Sequence, residues 1–251
     1  MYNIFLLAIG PSLALLLFFY YIDKYDREPI SLLVKLFVGG MAAVIPILIL
    51  ELILMRLNFF PGLLGAAYTA FIVAGFSEEF FKRFVVLKVA FRDEHFNEHL
   101  DGIIYCVFAS LGMATVENVL YLLSTENAFT VGVMRGLVSV PMHMLFAVTM
   151  GYYLAFARFA QTPEKRSRYL KLSLTQPLLL HGIFDFLLMS GHTILIFLAV
   201  PFVIWSWRYN YKKLKVYYNA SKTAYLRAES MATSDNISGF YETDDLEEKN
   251  L

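Results

Sequence analysis

The chain has 251 residues, 58% of them apolar and 17% charged, with a mean hydropathy of +0.57 and no net charge. An average soluble domain carries about 25% charged residues, so this composition belongs to an integral membrane protein. A neutral chain has no global field with which to attract nucleic acid, and its one cysteine, Cys106, excludes an internal disulfide and a CxxC metal site.

Seven apolar runs follow in order, each about long enough to cross roughly 30 Å as a helix. The first, about 3–22, has no basic leader and no A-x-A site, so it reads as a retained span ending in the aromatic pair Tyr20-Tyr21. Asp23-Lys24-Tyr25-Asp26-Arg27-Glu28-Pro29 is a charged turn in which the proline ends any helix. The second span, about 31–55, contains Pro46 and an interfacial Glu51. The third, about 64–90, carries Glu78-Glu79-Phe80-Phe81-Lys82-Arg83 inside apolar sequence. The fourth, about 102–123, contains Cys106, which reads as packing, and Glu117-Asn118. The fifth, about 131–157, contains Pro141 and His143, and a basic loop (Arg158, Lys165, Arg166, Arg168, Lys171) follows. The sixth, about 172–190, holds Pro177, His181 and Asp185. A Gly191-His192 turn leads to the seventh, about 193–207. His95, His99 and His192 read as solvated loop residues.

The fold class expected is therefore all-α, a polytopic bundle of about seven spans. With alternating loops, 19 of the 21 Lys and Arg residues fall on one side, leaving Arg56 and Arg135 on the other. By the positive-inside rule the N-terminus is outside and the C-terminus cytoplasmic. Residues 1–208 form the transmembrane domain. Residues 209–251 form a cytoplasmic tail, basic first (Lys212, Lys213, Lys215 and Lys222 along anionic headgroups), then acidic, Ser-rich and disordered beyond Ala228.

The polar residues within the spans share one depth. At a rise of about 1.5 Å per residue, Glu79, Glu117, His143, His181 and Asp185 lie roughly 14–23 Å from the cytoplasmic boundary. A charge at mid-membrane costs about 2.5–3.5 kcal/mol on insertion scales and is tolerated where it has a partner or faces a wet cavity. Lys82 is i,i+4 from Glu78 and i,i+3 from Glu79. His181 is i,i+4 from Asp185, which can orient the imidazole. Glu117-Asn118 can alternatively be polar glue between helices. The short helical path to the charged 91–101 loop leads one to expect a single cavity reached from the cytoplasm.

Such a layer suits hydrolysis of an amide without a covalent nucleophile: a glutamate activates water, a histidine holds it, and another polar group stabilises the oxyanion. No G-x-S-x-G is present, and H-E-x-x-H is absent. A zinc ion on His143, His181 and Glu78 stays open as a His₂-carboxylate site. A non-catalytic membrane protein or a proton-coupled transporter is the alternative class, although no inverted repeat is visible.

In chain order, Asp26-Arg27-Glu28-Pro29, Glu78-Glu79-Phe80-Phe81-Lys82, Glu117-Asn118 with Tyr121, His143, and His181-Gly182-Ile183-Phe184-Asp185 resemble the motifs of the PrsW family of bacterial intramembrane proteases. That family lies within the superfamily of CAAX-processing and bacteriocin-processing enzymes. Lys82, Ser139 and Asp185 depart from the CAAX-processing branch. The resemblance implies a multi-pass bacterial plasma-membrane peptidase that cleaves a membrane-embedded partner of the anti-sigma-factor type. It implies Glu78 as the water-activating base with His143 assisting, and His181 and Asp185 serving the oxyanion. Glu79, the remaining catalytic candidate, then pairs with Lys82 or a layer histidine, supported by Glu117 and Asn118.

Overall fold

The computed structural model describes residues 2–247, with side chains described over 5–231, and all its regular structure is helical. In order these are α1 (Tyr2–Ile22), α2 (Ile30–Met55), α3 (Gly62–Tyr68), a π segment (Thr69–Phe76), α4 (Ser77–Val89), α5 (His99–Leu123), α6 (Ala128–Met134), a second π segment (Arg135–Ser139), α7 (Val140–Arg158), α8 (Pro163–Met189) and α9 (Thr193–Glu247). Among the described residues, six helices are long and apolar enough to cross a membrane. A seventh crossing is composite: α3, the π segment and α4 run end to end from Gly62 to Val89. This is the polytopic bundle expected from composition.

Local sequence sets the ends. Pro29 precedes α2, Pro163 opens α8 behind a Thr162 hydroxyl that accepts from the Lys165 N–H, and Gly191 turns between α8 and α9 at φ +70°. The expected basic loop after α7 is mostly helix, because this cap starts α8 at Pro163. The tail differs in the same sense. α9 continues unbroken past residue 208 to Glu247, since propagating an existing helix costs less than nucleating one. Residues 248–251 of the tail lie outside the described residues. Lys213 does not lie along the surface: it is buried, donates to the Thr149 hydroxyl at 3.1 Å and sits 3.8 Å from the centre of the Tyr209 ring. His99 is not a solvated loop residue either. It opens α5 and packs on Phe159 and Tyr217.

α5 is the central post, buried continuously from Leu100 to Thr115 and packed by α7, α2 and α1. The outer helices α1, α2 and α9 expose Leu, Ile, Val and Phe to lipid. Tight helix approach rests on glycine, as expected in a membrane where close packing replaces the hydrophobic drive. A Cβ on Gly151 of α7 would stand 2.2 Å from the Gly102 carbonyl oxygen of α5; one on Gly112 would stand 2.0 Å from the Phe37 carbonyl oxygen of α2. A Cβ on Gly182 of α8 would meet the Phe71 ring at 2.2 Å, so that glycine lets α8 lie against the first π segment.

The charged turn between α1 and α2 is tied down on the cytoplasmic side. The Glu28 amide donates to Asp23 at 3.0 Å, and the Tyr105 hydroxyl of α5 donates to the Glu28 carboxyl. Burial pushes the Asp23 carboxyl up to about 6 and that of Glu28 up to about 7.

Gly151→Val is expected to cost about 3 kcal/mol or more, because the clash is with backbone that cannot turn aside. Gly10→Ala, whose Cβ meets only the Leu6 side chain at 3.8 Å, is expected to fold normally. Folded yield and thermal midpoint in detergent check both.

Candidate active site

Glu78 and Glu79 stand in the first turn of α4, directly after a π segment, and both are buried. One turn on, the Lys82 ammonium is enclosed at 1% exposure and uses all three of its N–H groups: to Glu79 Oε1 at 2.8 Å, Glu78 Oε2 at 3.1 Å and His143 Nδ1 at 3.1 Å. Lys82 thus reaches both carboxylates, as the i,i+3 and i,i+4 spacings allow, and pairing with it does not distinguish them. Their other neighbours do. Glu79 is fully enclosed and also takes the His181 Nδ1–H at 2.9 Å, whereas Glu78 lines an open cavity.

The hydrogen bonds fix the histidine roles. An ammonium only donates, so His143 Nδ1 is the accepting nitrogen and Nε2 carries the proton, 3.0 Å from Glu117 Oε2. His181 gives its Nδ1–H to Glu79, and its Nε2 looks toward Asp185 Oδ2 at 3.2 Å and Glu78 Oε1 at 3.9 Å. The two rings are 5.5 Å apart, and Phe146 stacks under His181 at 4.8 Å. Each histidine thus has a carboxylate behind it and a nitrogen turned toward Glu78.

The sequence candidates converge except one. Asn118 is buried behind the layer, donating to the Leu7 and Ala8 carbonyls of α1 and accepting from Arg135 Nε at 2.9 Å. It is glue, while its neighbour Glu117 faces the histidine. Two residues escaped the sequence reading. Arg135 reaches Glu117 at 3.3 Å and lies 3.8 Å from the Tyr121 ring centre. Glu51, read as an interfacial charge, lines the cavity with Glu78, Glu117 and Asp185. Its signal was present: on α2 it is the one acid in a stripe (Val44, Ile47, Leu48, Glu51, Leu52, Met55) that lines the cavity at helical spacing.

The cavity has a volume of about 740 Å³. Its rim is made by Met55 at the end of α2, Thr69 at the start of the π segment, Ser124 after α5, Arg135 and Ser139 before α7, and Met189 at the end of α8. All are the ends away from the basic loops, so the cavity extends from the layer toward the outer face and not, as the sequence leads one to expect, toward the cytoplasm. The buried halves of α5 and α7, with Phe146 as floor, close the cytoplasmic side.

One donor atom each from Glu78, His143 and His181 lies within 4.8 Å of the others, all three buried. Neutral imidazole nitrogens backed by carboxylates and one carboxylate oxygen make a donor set that fits zinc. In the structure the Lys82 ammonium faces two of the same donor groups.

Comparison with known proteins agrees with this geometry. The family described as "PrsW family intramembrane metalloprotease" matches residues 28–207. The chain is 41% identical over 225 residues to "Protease PrsW" of Clostridioides difficile, covering 89% of this chain and 94% of that protein. It is 38% identical over 217 residues to "Protease PrsW" of Bacillus subtilis, covering 86% and 95%. No solved structure gives a significant match. These matches favour the peptidase class over the transporter.

Lys82→Met leaves two buried carboxylates without their shared cation and is expected to destabilise the fold by about 3–5 kcal/mol. Asn118→Leu strands Arg135 and two α1 carbonyls, at about 1–3 kcal/mol. Thermal unfolding of each variant in detergent checks the order.

Proposed function

The chain belongs to the PrsW family of intramembrane proteases, and on that premise we propose that it hydrolyses a peptide bond of a membrane-anchored protein, of the anti-sigma-factor type, at the layer formed by Glu78, His143 and His181. It is a multi-pass protein of a bacterial plasma membrane. The observation that carries the proposal is the convergence of these three buried side chains at the base of an outward-opening cavity.

Glu78 is the group placed to act on water, because it faces the cavity while Glu79 is sealed behind it. As base it takes a proton as the water oxygen bonds to the scissile carbonyl carbon. That proton passes to the leaving nitrogen when the C–N bond breaks. His181, oriented by Glu79, and Asp185 stand beside the developing oxyanion. His143, its Nε2–H held toward Glu117 and its Nδ1 fixed by the Lys82 ammonium, stands beside Glu78. Lys82 and Glu79 position these groups. A metal ion, when bound, would be held by Glu78, His143 and His181 and would supply Lewis-acid polarisation and a more acidic water.

Glu78→Gln keeps the shape and removes both base and charged ligand. Turnover of a single-span reporter in proteoliposomes, per folded molecule, is expected to fall by about 10²-fold or more. Near-normal turnover would contradict the assignment. Zinc near one per chain, lost in His143→Ala, assigns Glu78 to ligation; zinc-free active protein assigns it to the base role.

A further inference from the structure

A second group of acids sits at the opposite, cytoplasmic end of the bundle and takes no part in the catalytic layer. Asp23 follows α1, and Glu98 and Asp101 flank the start of α5. About 24 Å of helix separates Asp101 from Glu117 at 1.5 Å per residue. Asp23 is 2% exposed and Asp101 0%.

Each of these two aspartates spends one oxygen on backbone. Asp23 Oδ2 accepts from the Glu28 N–H at 3.0 Å. Asp101 Oδ2 accepts from the N–H groups of Asn97 at 2.9 Å and Glu98 at 2.7 Å. The other oxygens, Asp23 Oδ1 and Asp101 Oδ1, are buried without a hydrogen-bond partner, and so is Glu98 Oε1. A buried acceptor left unmade costs about 1–3 kcal/mol, more when charged, and three in one place call for a shared partner. One ligand oxygen each of Asp23, Glu98 and Asp101 lies within 4.8 Å of the others. Glu28 borders the group, its carboxyl engaged by Tyr105 and in contact with the Asp101 side chain.

We propose that Asp23, Glu98 and Asp101 form a binding site for a hard divalent cation, Ca²⁺ or Mg²⁺, that clamps the cytoplasmic end of the bundle. The donor set is oxygen only, which selects hard cations over zinc or copper. Oxygens up to 4.8 Å apart match ligands on opposite sides of an ion with bonds of about 2.3–2.6 Å. The clamp joins the α1–α2 turn to the start of α5, and Glu98 also meets Ser221 of α9, so three parts of the chain meet at one ion. The site is independent of the proteolytic assignment.

The test uses the full chain in detergent, stripped with EDTA, at pH 7.5 and constant ionic strength. CaCl₂ or MgCl₂ added to about 100 times its dissociation constant is expected to raise the unfolding midpoint by about 5 °C or more. The same rise is expected in His143→Ala, which alters only the catalytic layer, and its loss in Glu98→Gln and Asp23→Asn. In EDTA the Glu98→Gln protein should be no less stable than the unaltered chain, since an uncompensated charge has been removed; a merely structural Glu98 would give the reverse. Bound Mn²⁺, counted by electron paramagnetic resonance and displaced by Ca²⁺ or Mg²⁺, reads occupancy directly even if a variant fails to fold. The proposal is overturned by the absence of a midpoint shift and of bound Mn²⁺ in the unaltered chain. A shift that survives in Glu98→Gln, or disappears in His143→Ala, overturns it equally.

Discussion

One ammonium organises the centre of this protein. Lys82 is enclosed between helices and shared by Glu78, Glu79 and His143. Taking such charges from water costs several kcal/mol per ion, repaid only with good geometry and every hydrogen bond made. That condition is met on the Lys82 side, where three donors find three acceptors. It is not met for the layer as a whole: Glu51, Glu78, Glu79, Glu117 and Asp185 gather around two fixed cations, Lys82 and Arg135. The excess negative charge favours a further cation, such as a metal ion, in the same place.

The scaffold is shaped to keep that layer together. Gly102 and Gly151 bring α7 against α5, and Gly182 brings α8 against the first π segment. His143 and His181 therefore arrive from two helices beside a third that carries the glutamates. Both π segments end just before functional side chains, one before Ser77-Glu78-Glu79 and one before Val140 to His143. A π turn makes i→i+5 bonds and so rotates the face that follows relative to an uninterrupted α-helix. Those rotations turn Glu78 to the cavity and His143 to Lys82.

Much of this was legible in the sequence, for a physical reason. Lipid demands long apolar runs, so seven crossings could be read directly, and a charge inside one is costly enough to mark a site. The pairs at i,i+3 and i,i+4, Lys82 with the glutamates and His181 with Asp185, came from helical spacing alone. Depth along a helix was legible as well, but not the direction of access. That depends on how helix ends splay and on Phe146 closing one side, which are tertiary facts. Glu51 and Arg135 were missed because each lies near an outer end, where a charge looks affordable in isolation. Only the packing of α2 against α5, and the reach of the Arg135 side chain to Glu117 and Asn118, bring them into the layer. The π segments themselves have no sequence mark that apolar periodicity detects.

The central claim is that peptide hydrolysis occurs at the Glu78, His143 and His181 layer, entered from the outer face. The most direct measurement is mass spectrometry of the products that the reconstituted protein releases from a single-span substrate of known orientation. The account predicts a new terminus in the outer half of the substrate's membrane segment or just beyond it, and no such product from His181→Ala. A cut in the cytoplasmic half, or an undiminished product from that variant, would contradict it.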